Sequence, residues 1–195
     1  MKKMIILATL LIISLGVMVS NIVLKKEKAL KQVDKPILEE VLPVLKESSV
    51  ITKPYNGDNI SIISNYYSYV DDFDKQLNSI IYFNDTYMQN TGVIYGADNE
   101  FDILAVADGE VTKISEDVYG KIIEIQHTNE LISRYQFLSD VSVSLNSKVA
   151  QGDIIGKSGN PNIVDANKSK VFIELILRGQ LVDFEKYLGM SLSEI

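Results

Sequence analysis

The apolar residues of this chain follow two patterns, one before residue 25 and another after residue 58. Residues 4–24 contain no charged side chain, and a pair of lysines stands on either side of them. At about 1.5 Å of rise per residue this run forms a helix of roughly 31 Å, which is enough to cross a hydrocarbon core of about 30 Å. The pattern predicts one N-terminal transmembrane helix, with residues 1–24 as the membrane anchor.

A cleaved signal peptide is the alternative interpretation of the same run. The apolar core of a signal peptide usually has about 7–15 residues and ends at a small-residue cleavage site. No convincing site of that kind follows residues 17–20. Lipid attachment is excluded because the chain has no cysteine, so an uncleaved anchor is favoured.

The lysines beside the anchor place the C-terminal side in the cytoplasm if they are considered alone. Residues 25–35 contain five lysines, whereas only Lys2, Lys3 and the amino terminus precede the anchor. The positive-inside rule keeps the more basic flank in the cytoplasm. A lysine run of this kind is more often a topology or lipid-headgroup feature than a specific binding site.

Residues 25–58 are predicted to form a stalk between the anchor and the folded domain. Apolar residues recur at helical spacing from residue 37 to residue 45, and Pro43 would interrupt a longer helix. Residues 53–58 read Lys-Pro-Tyr-Asn-Gly-Asp, which is the composition of a loop.

After residue 58, short β-prone runs alternate with turn residues, a pattern typical of an all-β domain. The predicted strands cover residues 60–69, 78–83, 103–106, 110–115, 121–127, 131–137, 153–157 and 171–177. Predicted turns lie at Gly109, Gly120, Asn146, Gly152 and Gly159. Little helix is expected beyond residues 71–78 and a final turn near residues 183–188. We assign the domain to residues 59–190.

The part of the chain beyond the first lysine run is strongly acidic. Residues 36–195 carry 12 basic and 24 acidic side chains, a formal charge of −12. Such a surface repels a phosphate backbone, which argues against nucleic acid as a partner.

Five stretches of the predicted domain carry a family resemblance. They are residues 107–111 (Ala-Asp-Gly-Glu-Val), 119–127, 134–138 (Arg-Tyr-Gln-Phe-Leu), 148–160 and 171–175 (Val-Phe-Ile-Glu-Leu). Together they resemble the lysostaphin/LytM-type metallopeptidases of peptidase family M23 over about residues 87–188. The resemblance implies a mainly antiparallel β fold of the duplicated-hybrid-motif type.

The resemblance also assigns positions to the zinc ligands and catalytic residues of that family. Its His-x-x-x-Asp pair falls on Asn90 and Ile94, and its Tyr-x-His-Leu histidine falls on Phe137. The two histidines of its His-x-His-Phe-Glu motif fall on Lys170 and Phe172. Because an apolar side chain neither coordinates zinc nor moves a proton, the resemblance implies a degenerate site with no catalytic residue, metal or cofactor.

The remaining candidates for metal chemistry are weak. His127 is the only histidine, and the resemblance places it outside the zinc site, so we expect a surface residue at a strand end. Asp71, Asp72 and Asp74 lack the glycine and the terminal glutamate of a calcium loop. We expect these carboxylates to form solvated surface.

A narrower resemblance within the family rests on residues 83–87, 100–103, 135–143 and 155–159, and on the tyrosine-containing residues 65–69. These stretches are similar to the stage II sporulation protein Q family over about residues 59–188. The resemblance implies a forespore membrane protein whose domain faces the space between two membranes. There it would bind a stage III sporulation AH-like protein as half of a channel complex, and its C-terminus would be extracytoplasmic despite the lysine count.

A partner strand can add to an unpaired sheet edge, which suggests how such a domain recognises a protein. The predicted edges are the hairpin of residues 121–127 and 131–137, with Glu124 and Ser133, and the segment of residues 60–69, with Tyr66 and Tyr67. Other degenerate relatives of this family imply an alternative function, a catalytically inactive regulator that binds and activates a cell-wall hydrolase.

Overall fold

Antiparallel strands are the main secondary structure of residues 50–195, the part of the chain that the computed structural model describes. The strands are β1 (Ser61–Ser64), β2 (Ile80–Phe83), β3 (Thr86–Gln89), β4 (Val93–Ala97), β5 (Asp102–Leu104), β6 (Gly109–Asp117), β7 (Gly120–Gln126), β8 (Leu131–Val141), β9 (Lys148–Val149), β10 (Ile154–Ser158), β11 (Ser169–Leu177) and β12 (Gln180–Val182). A short helix α1 (Phe73–Leu77) precedes β2, and a 3-10 helix (Phe184–Tyr187) follows β12.

Ten strands form one sheet whose main path runs in the order β1-β4-β11-β8-β7-β6-β9. Strand β10 pairs with β5 and β8, and β12 pairs with β11, while β2 and β3 form a separate hairpin. The all-β, mainly antiparallel prediction is therefore confirmed for residues 50–195. The predicted membrane anchor and most of the predicted stalk lie outside these residues. Within residues 50–195 no helix is long and apolar enough to cross a membrane.

Alternation along strand β11 separates two buried layers. Val171, Ile173 and Leu175 point into the main core, where they are fully buried. Phe172 lies on the opposite face, where it packs against a second, smaller apolar cluster. Because successive side chains of a strand point to opposite faces, one strand supplies both layers.

Each predicted strand has a counterpart, but strands β3, β4, β9 and β12 were not predicted. Strand β4 is buried at all five positions, so it lacks the apolar and polar alternation that identifies a half-exposed strand. It also contains Gly96, where a Cβ atom would lie 2.2 Å from the Ile63 side chain. The glycine permits close packing of β1 there rather than marking a turn.

Two local predictions are wrong. Gly109 opens strand β6 and pairs with Val149, so it is not a turn residue. The predicted domain boundary at residue 58 comes too late, because Ile51 and Tyr55 are buried in the main core. The Ile51 N–H donates to the Met190 carbonyl at 2.9 Å, which fixes this segment to the end of the chain.

The predicted edge at residues 121–137 is also wrong. Strand β7 lies between β6 and β8, and β8 lies between β7 and β11, so both strands are internal. The other candidate segment, residues 60–69, does contain an edge, because β1 pairs only with β4 among the described strands. Adjacent strands of a hairpin are easily mistaken for an edge, since their outer neighbours come from distant parts of the sequence.

Candidate functional site

Three of the five positions that the resemblance assigns to the zinc site lie together in the structure. Ile94 on β4 and Phe172 on β11 are directly paired residues. The Phe137 ring on β8 lies 5.5 Å from the Phe172 ring between centroids, with the planes tilted by 31°. These side chains form the apolar cluster, which also contains Ile81 and Ile163.

Phe137 reaches this cluster through an unusual backbone conformation. Tyr135, two residues earlier on β8, points into the main core, and strict alternation would send Phe137 the same way. Phe137 instead has φ of 68°, in the left-handed region that residues other than glycine seldom adopt. The break in alternation turns its ring to the opposite face, beside Phe172.

The β2–β3 hairpin covers part of the apolar cluster. Its Ile81 is buried there, and its Phe83 packs against the same residues. Tyr119, from the turn between β6 and β7, makes edge contacts with Phe83 at 5.6 Å and with Phe137 at 6.1 Å between ring centroids. Three of the positions that the resemblance assigns to the metal site are thus packed in an apolar cluster that this hairpin covers.

Lys170 lies on the same face of β11 as Phe172, but its ammonium group binds the loop after β10. The side chain is fully buried. Its Nζ donates to the Pro161 carbonyl at 2.9 Å and lies 3.4 Å from the Asn160 Oδ1. Burial lowers the pKa of Lys170. This lysine therefore anchors the loop that follows β10.

Asn90 also points away from the apolar cluster. Its Nδ2 donates to the Ser64 hydroxyl at 3.0 Å and to the Asn65 carbonyl at 2.8 Å, while its Oδ1 accepts from the Gly92 N–H. These bonds tie the start of β4 to the end of β1. Asn90 is buried and has a structural role in this position.

The residues at these positions do not fit a zinc ion. A protein zinc site needs nitrogen, sulfur or oxygen donors arranged around one point, usually in a tetrahedron. Ile94, Phe137 and Phe172 offer none, and the polar groups of Asn90 and Lys170 are engaged elsewhere. Within residues 50–195 no group of three or more His, Cys, Asp or Glu side chains is placed to hold a metal.

A charged network lies on the same sheet face, and sequence analysis did not identify it. Arg134 Nη1 donates to Glu174 at 2.9 Å, and Arg134 Nε donates to Glu124 at 2.8 Å. The buried Glu174 also accepts from Gln136 at 3.0 Å and from the Thr91 hydroxyl. Glu124 is thus a member of an internal ion-pair network across β7, β8 and β11. The pairing register of the strands would have indicated this network, because it places Glu124 opposite Arg134 on one side and Glu174 opposite Arg134 on the other.

His127 follows β7, as expected, but it is not a free surface residue. Its Nδ1 lies 2.8 Å from the Asp108 carbonyl and its Nε2 lies 2.7 Å from the Ser133 hydroxyl. Because a carbonyl only accepts, Nδ1 carries the proton and Nε2 accepts from Ser133. Burial lowers the pKa of His127, although the Asp108 carbonyl acts in the opposite direction. Ser133 is fully buried and internal.

Tyr66 and Tyr67 attach the segment after β1 to the domain. The Tyr66 ring packs against the main core, and its hydroxyl donates to the Leu181 carbonyl at 3.2 Å. The Tyr67 N–H donates to the Asn90 carbonyl at 2.8 Å. Both side chains are half-buried, so each keeps part of its surface open to solvent.

Comparison with known proteins agrees with this geometry. Residues 88–184 match the sequence profile of peptidase family M23. Stage II sporulation protein Q from Bacillus subtilis (strain 168) is 26% identical over 161 residues, which cover 80% of this chain. The matched residues span 57% of the length of that protein.

Solved structures give the same relationship. A chain of the SpoIIQ–SpoIIIAH pore forming complex is 26% identical, with a TM-score of 0.71 over 75% of this chain and 96% of that one. The catalytic domain of a point mutant of the prophage-encoded M23 protein EnpA from Enterococcus faecalis is 22% identical, with a TM-score of 0.52 over 69% of this chain and 96% of that one. This second likeness shows a shared fold and nothing about function. Residues 88–184 therefore match peptidase family M23, and the chain is similar to stage II sporulation protein Q over most of its length.

Proposed function

We propose that this chain is a non-catalytic, membrane-anchored scaffold that binds a SpoIIIAH-like protein and forms the forespore half of a channel between forespore and mother cell. One observation carries the proposal. The domain resembles a chain of the SpoIIQ–SpoIIIAH pore forming complex over 96% of that chain, with 26% identity and a TM-score of 0.71.

The apolar cluster supports the absence of catalysis. M23-type hydrolysis depends on a metal that activates water, and this requires polar ligands at the positions of Ile94, Phe137 and Phe172. The same face instead buries aromatic and aliphatic carbon, which stabilises the fold. A domain without metal ligands at these positions still has a surface that can bind another protein.

Strand addition at an open edge supports the recognition of a protein partner. Strand β1 and the outer part of β6 are two of the open edges in the described sheet. Strand β1 is short and its pairing with β4 is irregular between Ile62 and Ser64. Strand β6 is longer, and beyond Val111 its outer side pairs with no other strand of residues 50–195.

The outer edge of β6, from Thr112 to Asp117, is the better candidate. It offers a row of backbone groups on the side away from β7, and its side chains are mostly exposed. A partner strand that pairs there extends the sheet and satisfies those groups. Glu124 and Ser133 lie on β7 and β8, so any contribution they make to partner binding is indirect.

The test uses the full-length chain in nanodiscs together with the soluble domain of the SpoIIIAH homologue from the same organism. The proposal predicts a stable complex of the two proteins in light scattering after gel filtration. A cell-wall amidase serves as the comparison. If the chain binds and activates the amidase and ignores the SpoIIIAH homologue, it is a hydrolase regulator instead.

A further inference from the structure

Exposed apolar side chains are concentrated in one short segment of the domain. Among residues 50–195, eight of the 17 exposed large hydrophobic residues fall between residues 69 and 88. They are Tyr69, Val70, Phe73, Leu77, Ile80, Tyr82, Tyr87 and Met88. Single exposed apolar residues need no explanation, but a concentration of them marks an interaction surface. We call this segment, residues 69–88, the aromatic face.

Helix α1 presents one part of the aromatic face. Phe73 and Leu77 are four residues apart, so they lie on the same side of the helix, and they are 72% and 51% exposed. The Gln76 side chain donates to the Tyr69 and Asp71 carbonyls at 3.1 and 2.7 Å. These bonds attach the helix to the preceding segment, while Phe73 and Leu77 stay open to solvent.

The β2–β3 hairpin presents the other part. Tyr82 and Tyr87 are directly paired across the hairpin, with ring centroids 4.8 Å apart, and are 54% and 75% exposed. Ile81 and Phe83 point to the opposite side, where they pack on the apolar cluster. One side of the hairpin therefore belongs to the domain and the other is free, and only Asn78 and Ser79 separate it from helix α1.

The same segment is rich in carboxylates, and the Tyr82 hydroxyl donates to one of them, Asp85, at 2.7 Å. The segment contains Asp71, Asp72, Asp74 and Asp85 but only one basic residue, Lys75, whose Nζ lies 3.6 Å from Asp72. The domain as a whole has the same sign, because residues 50–195 carry 11 basic and 21 acidic side chains, a formal charge of −10. An apolar surface with an acidic border selects partners by charge.

We propose that the aromatic face is a second docking surface, and that it binds a protein segment carrying lysine or arginine among apolar side chains. Apolar side chains of such a segment cover the exposed rings, and its cations meet both the aromatic faces and the carboxylates. Anionic lipid and nucleic acid are repelled by the same carboxylates. A second copy of the acidic domain is repelled for the same reason.

This inference goes beyond the proposed scaffold function and does not depend on it. The aromatic face lies on α1, β2 and β3, whereas the proposed SpoIIIAH-like partner adds to the outer edge of β6. The chain would then hold two proteins at once. Loss of one interaction leaves the other intact, so the two proposals fail separately.

The test measures binding of labelled synthetic peptides to the full-length chain in zwitterionic nanodiscs by fluorescence anisotropy. Three helical peptides of equal length are compared, and each contains two residue types. The first contains Lys and Leu, the second Lys and Ser, and the third Glu and Leu. We expect the Lys/Leu peptide to bind at least about tenfold more tightly than either of the others, because the surface requires both charge and apolar contact.

Variants locate the binding. Tyr82→Ser/Tyr87→Ser and, separately, Asp74→Asn/Asp85→Asn should each weaken Lys/Leu binding about tenfold or more. The matched control, Leu145→Ser/Ile154→Ser, removes two exposed apolar side chains outside both the aromatic face and the β6 edge and should change nothing. Equal binding of the Lys/Ser peptide, or an equal loss in the control variant, would overturn the proposal. Thermal melting confirms that each variant is folded, and the exposed positions make this the expected result.

Discussion

The rings of Phe137 and Phe172 lie 5.5 Å apart on the neighbouring strands β8 and β11. The family resemblance assigns a histidine to each of these positions. Two side chains that would share a metal instead share a contact with Ile94, and the site has become part of the apolar interior. These positions therefore pack as part of the apolar interior in this chain.

Replacement of Ile94 by alanine tests the contribution of the apolar cluster to stability. Ile94 is fully buried, so Ile94→Ala should lower the free energy of unfolding by about 2–4 kcal/mol through lost burial and an unfilled cavity. The measurement is urea denaturation of the fragment of residues 27–195. Ile114→Ala, at a position that is 36% exposed, is the control and should cost well under half as much. Equal effects would show that the cluster adds little.

Metal analysis of the same fragment, residues 27–195, tests whether the domain binds zinc. We expect no stoichiometric zinc after dialysis and no cleavage of peptidoglycan cross-links, because the ligand positions offer no donors around one point. The control is an active M23 enzyme under the same conditions. One tightly held zinc per chain, with turnover abolished by a chelator, contradicts this prediction.

Much of the fold and part of the site were predictable from the sequence. Strands such as β7 and β8 show alternating burial, and Ile94, Phe137 and Phe172 could be placed by motif order. The left-handed turn at Phe137 could not be predicted, because phenylalanine seldom adopts it. It depends on tertiary packing of that ring against Phe172.

The order of the strands could not be read from the sequence either. Strand β11 follows β8 by more than twenty residues yet lies directly beside it, which makes β8 internal. The same pairing creates the Arg134 and Glu174 contact, which no local pattern indicates. Residues 53–58 have the composition of a loop, and long-range contacts such as the bond from the Ile51 N–H to the Met190 carbonyl show that this segment belongs to the domain.

The pH dependence of stability should report on His127. Burial lowers its pKa below the ordinary value of 6.5 in the folded chain, so the unfolded chain takes up the proton at higher pH. The contribution of neutral His127 to the free energy of unfolding is therefore fully present above about pH 6.5. It is lost as the pH falls, at no more than about 1.4 kcal/mol per pH unit. His127→Gln should make the acid loss shallower in urea denaturation between pH 7 and pH 5. Parallel curves for both proteins would remove His127 as the cause.

Thiol labelling should decide the orientation of the domain. The chain has no cysteine, so a single Asn56→Cys or Val118→Cys substitution gives one reactive group at an exposed position. The proposed function predicts labelling by a membrane-impermeant reagent in intact protoplasts. A cytoplasmic cysteine introduced before the anchor, in place of Lys3, should react only after lysis. The opposite pattern would follow the lysine count instead and would rule out the channel proposal.

A proline at the outer edge of β6 should separate backbone pairing from side-chain recognition. Inward and outward N–H groups alternate along an antiparallel strand, so one of Ile114→Pro and Ser115→Pro removes an outward donor and leaves the β7 ladder complete. The variant that keeps the wild-type melting temperature is the informative one. Alanine at the same position removes only the side chain and serves as its control.

Calorimetry of the full-length chain in nanodiscs with the soluble domain of the SpoIIIAH homologue tests the central claim most directly. The account predicts saturable binding by the wild-type chain, binding within about twofold by the alanine variant, and a loss of at least about tenfold in the informative proline variant, since a partner strand needs the outward donor. Normal binding by that folded proline variant would reject the β6 edge. An absence of any binding heat or complex with the wild-type chain would contradict the scaffold function itself.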